Sequence, residues 1–258
     1  MIKKWNVTIP KLTGCEERRA YIYLPDSYFC QNERRYPVLY MFDGHNVFYD
    51  EDATYGKCWG MKEYMDYTCT QLIIVAVECN HSPDHGRLKE YSPFDFSDPK
   101  FGDIEGKGRL TMDWLINSLK PYIDRHYRTL SDRRQTFIAG SSMGGLMSLY
   151  AVLEYNHVFS RAGVHSPSLW TDFNRVKMLI RTSLIRKDTV VYMDYGELEA
   201  ASHPGILRAF QKTAGLLLEK DVLLTCRIVP DGYHNEATWE KQLPFMLQTI
   251  TYGIENNL

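Results

Sequence analysis

The residues of this sequence best suited to chemistry are Gly140-Ser141-Ser142-Met143-Gly144, a serine with a glycine two positions away on either side. A β-branched and aromatic run, Gln135 to Ala139, leads into it, and after Gly145 an apolar run with helix-forming character extends from Leu146 to Leu153. A strand that turns into a helix at one residue strains that residue's backbone. It also brings the neighbours two before and two after so close that neither can carry a side chain. Gly140 and Gly144 meet that demand. The turn lifts the hydroxyl clear of the sheet, and the first amides of the helix point to where an anion would form. Ser142 therefore reads as an activated nucleophile.

A serine hydroxyl is a poor nucleophile at neutral pH and needs a base, with a third group to orient that base. Of the eight histidines, His234 lies in the turn straight after the last predicted strand and downstream of an acidic cluster. Asp194, Glu197 and Glu199 all lie at or just after one strand end. Glu199, beyond Gly196, is the candidate whose turn would let it swing towards His234, with Asp194 and Glu197 as alternatives. A tetrahedral intermediate would need two backbone donors, and the simplest pair is the amides of Met143 and His45.

The elements that must position these groups can be read from periodicity. Trp5 to Pro10 and Arg19 to Pro25 alternate in short runs and predict an antiparallel N-terminal edge pair. Continuous apolar runs at Pro37–Phe42 and Leu72–Val77, followed later by Arg161–His165, Thr189–Asp194 and Leu223–Val229, predict buried strands. Helical periods cover Lys62–Thr68, Leu110–Tyr127 (with Pro121 dissonant), Asp172–Ser183, Pro204–Lys220 and a closing segment to about Ile250. Strands alternating with helices predict an α/β fold with a mostly parallel central sheet, helices on both faces, and one domain over residues 1–258. The polar stretch from about 78 to 108 is too long for a simple connection and is expected to be a loop or lid. In it, Arg87 and Glu90 form a candidate charge pair beside the site. Trp59, Tyr91, Phe94, Trp170 and Tyr233 fall in loops expected at the active face, where together they suit an aromatic or sugar-bearing substrate.

Composition narrows the partners. The 258 residues are 44% hydrophobic and 24% charged, with a net charge of −2 and no basic stripe, which argues against nucleic acid or an anionic membrane as a partner. No apolar segment is long enough for a signal-peptide core or a membrane span, so the expected location is cytoplasmic. Six cysteines without a C-x-x-C pair read as structural thiols. His81 and His85 have the spacing of a helical metal pair, but Pro83 lies between them and no third ligand is evident; no metal or organic cofactor is expected. The expected partner is a small-molecule ester, and self-association as a homo-oligomer is compatible with the composition.

Several ordered segments, YPVLYMFDGHNVF, GRLKEYSPF, FIAGSSMGGLMSLY, VHSPSLW, the Gly196–Glu199 turn and DGYHNEATW, together resemble the putative esterase family of α/β hydrolases, from about Ile22 to the last helix. That family includes enterochelin-esterase-like, feruloyl-esterase-like and S-formylglutathione-hydrolase-like enzymes. The resemblance implies the α/β-hydrolase fold and a serine carboxylic ester hydrolase acting through an acyl-enzyme. By position it implies Ser142 as nucleophile, His234 as base, Glu199 as acid, and the amides of His45 and Met143 as oxyanion hole. Trp59, Arg87, Trp170 and Tyr233 are the candidate substrate contacts. Implied substrates are aryl, acetyl-sugar or siderophore esters. The competing readings are an acyltransferase of the same fold and a non-catalytic binding protein on a hydrolase scaffold.

Overall fold

The computed structural model describes residues 1–202 and 204–254, the side chains of residues 200–202 and 204 excepted. Eight strands form the main sheet: β1 (Ile2–Thr8), β2 (Glu17–Tyr23), β3 (Val38–Met41), β4 (Ile73–Val77), β7 (Thr136–Ser141), β8 (Arg161–His165), β9 (Val190–Gly196) and β10 (Leu223–Val229). A separate short hairpin pairs β5 (Phe96–Asp98) with β6 (Gly102–Ile104). The order across the sheet is β1-β2-β4-β3-β7-β8-β9-β10. β2 runs antiparallel to both β1 and β4, and every pairing from β4 to β10 is parallel. This is the mostly parallel α/β sheet that the alternation of strand and helix predicts, with the antiparallel N-terminal edge.

Two apolar layers cover it, and the period of two along each strand decides which residue enters which layer. Val38, Tyr40, Ile138, Val191 and Met193 point into one cluster with helices Met143–Glu154 and Phe173–Thr182, whereas Leu39, Met41, Phe137, Ala139 and Tyr192 enter the other with helix Leu243–Thr251. Helix Met143–Glu154 is buried on every side except at Glu154, which is why it is apolar all round rather than striped.

Pro121 does not break its helix. The chain stays helical from 108 to 126, but Leu115–Leu119 widens to π-helical pitch and the Lys120 amide donates to the Leu115 carbonyl. The wide turn accommodates the ring and missing donor that a regular turn would not. Within 78–108 the chain is ordered as a short helix, Gly86–Glu90, and the β5–β6 hairpin. The predicted Arg87–Glu90 pair is replaced by two longer-range pairs. Arg87 grips Asp43 at 2.7 Å, and the buried Glu90 takes Arg18 at 2.6 Å. Residues 87 and 90 are one helical turn apart but face different strands.

The close packing at the centre requires glycine at one further position. A Cβ on Gly145 would lie 2.5 Å from the His165 carbonyl oxygen, a backbone atom that cannot swing away. Gly145→Ala is expected to lower stability by about 1–3 kcal/mol, read from the urea unfolding midpoint.

Candidate active site

Ser142 stands between β7 and the helix Met143–Glu154 with φ 59 and ψ −121, a conformation that L-residues rarely hold. Its amide donates to the His165 carbonyl at 2.9 Å, which fixes the turn to the next strand. A Cβ on Gly140 would lie 2.8 Å from the Gly144 backbone, and one on Gly144 would lie 3.0 Å from Phe42 Cβ. The two glycines are thus dictated by the approach of chain to chain. As the first residue of the helix, Met143 has an amide with no intrahelical acceptor. The Ser142 hydroxyl pairs with Ser168 Oγ at 3.4 Å and makes no hydrogen bond to His234 among the described residues.

Three acids crowd the end of β9, and tertiary contacts separate them. Asp194 Oδ2 accepts from Tyr192 OH at 2.9 Å and lies 2.7 Å from Nδ1 of the fully buried His165. Glu197 accepts from the Asp231 amide at 3.1 Å. Glu199 is the acid that reaches His234, with Oε2 2.5 Å from Nδ1. Its other oxygen accepts from the Gly196 amide at 2.6 Å and from Ser166 Oγ at 2.5 Å. Ser166 in turn accepts from Trp239 Nε1 at 3.0 Å. An ionised carboxylate can only accept, so with Nδ1–H bonded to it the imidazole keeps its Nε2 lone pair free.

The opposite wall is the turn after β3. Asp43 has a left-handed backbone, φ 56, and opens a short 3₁₀ turn, Gly44–Asn46, so the amides of Gly44 and His45 have no acceptor within that turn. Arg87 Nε and Nη2 grip both carboxylate oxygens of Asp43 at 2.7 Å, and the Asp43 amide donates to Tyr91 OH at 3.2 Å. Burial opposes the Asp43 charge, but Arg87 overrides it and holds the carboxyl below its ordinary range. Burial also pushes the His45 imidazole below its ordinary value, against the pull of Asp43. Arg87, a candidate substrate contact in the sequence, lines the cavity while strapping the 78–108 segment to this turn.

Two cavities meet at His234. One, of about 560 Å³, is lined by His45, His81, Arg87, Ser142 and Glu236 among others. The second, of about 860 Å³, is lined by Phe101, Trp170, Tyr195, Tyr233 and Glu199 among others. Trp170 and Tyr233 both line this second cavity, and Trp170 packs edge-on to Phe96 of the hairpin, 5.6 Å between centroids. Trp59 does not face either cavity. It is 2% exposed, edge-on to His165 at 4.9 Å and against Trp239 at 5.8 Å, and so supports the site from beneath.

A family model described as "Putative esterase" matches residues 13–250. The chain belongs to that family. It is a carboxylic ester hydrolase. Relatives include the uncharacterized protein YbbA of Bacillus subtilis, 27% identical over 198 residues that make up 76% of this chain and 74% of that protein. Esterase Rv1288 of Mycobacterium tuberculosis is 33% identical over 158 residues, 60% of this chain but only 30% of the longer protein. Among solved structures, a ferulic acid esterase superposes with a TM-score of 0.72 at 18% identity, covering 97% of both chains. The enterobactin esterase FES of Shigella flexneri, solved with enterobactin, gives 0.72 at 16% identity over 97% of this chain and 58% of its own. At such identities these two likenesses are of fold.

Ser166, Ser168 and Asp43 escaped the sequence reading because each lies at a strand end in a loop whose partners are far along the chain. No described helix of this esterase is long and apolar enough to cross a membrane. The Ser166 hydroxyl joins two buried groups, so Ser166→Ala leaves Trp239 Nε1 without its acceptor and takes one donor from Glu199. A stability loss of about 1–3 kcal/mol is expected by urea denaturation, while Ser168→Ala, whose hydroxyl holds only the 3.4 Å contact to Ser142 among the described residues, should cost less.

Proposed function

We propose that this esterase hydrolyses small esters carrying an aromatic ring, with Ser142 as nucleophile, His234 as general base and Glu199 as the acid that orients it. The observation that carries this reading is the Glu199–His234 bond at the mouth of the cavity that also holds Ser142, on a turn strained as a nucleophile's turn must be. In the reaction, Ser142 Oγ leaves Ser168, passes its proton to His234 Nε2 and attacks the ester carbonyl. The oxyanion forms against the amides of Met143 and His45, and the imidazolium then protonates the departing alcohol. Water, activated by the same imidazole, releases the acid and restores Ser142. Hydrogen bonds to a catalytic base commonly close only when substrate is bound, which accommodates the Ser142–Ser168 contact of the free enzyme.

The substrate class rests on the second cavity. Phe101, Trp170, Tyr195 and Tyr233 give one side of His234 an aromatic lining, while His45, His81 and Arg87 make the other side polar. A flat ring on one side of the scissile bond and a polar group on the other suits feruloyl- or siderophore-type esters better than an acetylated sugar. The single domain over residues 1–258, with the 78–108 segment as its lid, is part of the same reading.

The test is kinetic. Ser142→Ala should lower kcat by roughly a million-fold and abolish labelling by a fluorophosphonate probe, mapped by mass spectrometry. Glu199→Gln should lower kcat by about ten-thousand-fold, whereas Glu197→Gln should stay within about tenfold of the parent enzyme; the reverse ranking would move the acid role to Glu197. Trp170→Ala should raise KM for aryl esters far more than it lowers kcat. Equal kcat/KM for aryl esters and acetylated sugars in the parent enzyme would remove the aromatic assignment.

A further inference from the structure

The cavity that Ser142 lines also holds a group of side chains with no part in the bond-making and bond-breaking steps. His45, Cys79 and His81 each bring one ligand atom to within 4.8 Å of the others. Cys79 follows the end of β4 and His81 lies two residues on, with Sγ 4.0 Å from His81 Nδ1. His45 comes from the turn after β3, and its ring meets that of His81 edge-to-face at 4.9 Å between centroids. All three line the 560 Å³ cavity that Ser142 also lines. The two histidines that the sequence suggested as a pair part company, since His85 packs against Phe101 instead, 5.6 Å between centroids.

A second observation points to an occupant. His45 is 5% exposed, its Nε2 is paired with Thr54 Oγ1 at 3.0 Å, and its Nδ1 is buried without a hydrogen-bond partner among the described residues. A buried lone pair or N–H left unmet costs about 1–3 kcal/mol, and a metal ion is one partner that an unmet imidazole nitrogen can take. The Nε2 bond to Thr54 would act as the outer contact that fixes ring and tautomer of a ligating histidine. One thiolate and two imidazoles, with a fourth position open to the cavity, is a donor set for zinc or another late divalent ion and a poor one for calcium or magnesium.

We propose that His45, Cys79 and His81 form a zinc site whose occupation inhibits the esterase. On binding, the S–Zn bond forms as the Cys79 thiol proton leaves to solvent, and the two imidazoles contribute lone pairs. Tetrahedral zinc holds such ligand atoms about 3.3–3.6 Å apart, so the three side chains must draw together. His45 cannot close in without loading the Gly44–Asn46 turn. That turn is wedged against β4, where a Cβ on Gly44 would lie 2.7 Å from the Val77 nitrogen. The inhibitory half rests on the reading given under Proposed function, in which the His45 amide is an oxyanion donor. The cation would also occupy the polar end of the substrate cavity.

The site is tested apart from catalysis by titrating the full-length protein, kept reduced with a phosphine, with cobalt(II) and then zinc. A near-ultraviolet thiolate-to-cobalt band that saturates at one equivalent and is displaced by zinc is the expected result. His81→Ala and Cys79→Ser should each weaken that binding by at least about tenfold. Absence of the band in the parent protein, or metal binding as tight as the parent's in either variant, would overturn the site. In parallel, zinc should slow aryl-ester turnover in the parent enzyme and lose that effect in His81→Ala, each compared with its own zinc-free rate. One equivalent of bound zinc with turnover unchanged would overturn the inhibitory role. Failure of the esterase reading is separate, because it would appear as persistent turnover in Ser142→Ala and would leave the cobalt titration intact.

Discussion

Everything in this structure defers to the close approach of helix Met143–Glu154 to the centre of the sheet. At that approach Gly140 meets Gly144, Gly145 meets the His165 carbonyl, and Ser142 is left with a backbone that few residues hold. The cost of that conformation is met by neighbours that over-determine it: the Ser142 amide is tied to β8, and the helix that follows is buried almost throughout. A hydroxyl raised in this way has the first helical amide beside it without any further device.

The groups facing Ser142 are held by two separate chains of contacts. On one side Trp239, Ser166 and the Gly196 amide hold Glu199, and Glu199 holds His234, so that a half-exposed imidazole is positioned from the buried side. On the other, Arg87 and Tyr91 hold Asp43, and Asp43 opens the turn that carries His45. The second chain makes the 78–108 segment more than a cover, since its short helix fixes the oxyanion-loop candidate from outside. The hairpin β5–β6 then packs on Trp170 and contributes Phe101 to the aromatic cavity. One segment thus shapes both cavities that flank His234.

Beneath the site a second histidine–carboxylate pair, His165 and Asp194, is wholly enclosed and touches Trp59 and Tyr192. It has the atoms of a catalytic dyad without access to a cavity. The Glu199–His234 pair differs in that its imidazole lines a cavity that Ser142 also lines.

Features that depend on neighbours along the chain were legible in the residues alone. Periods of two and of about 3.6 placed the strands and helices, with β8 and β10 at their observed ends. The glycines at 140 and 144 marked the strained turn, because only a missing side chain allows that local geometry. The order of serine, acids and histidine limited the candidates to a few. The separate partners of Asp194, Glu197 and Glu199, which are within five residues of one another and chemically alike, came from the packing. Their partners, His165, the Asp231 amide and His234, come from other strands and loops. For the same reason Arg87 left Glu90 for Asp43, and Trp59 went into the core. Cys79 and His45, 34 positions apart, met across adjacent parallel strand ends. Distance along the chain carries no information about such meetings until the sheet has set the register.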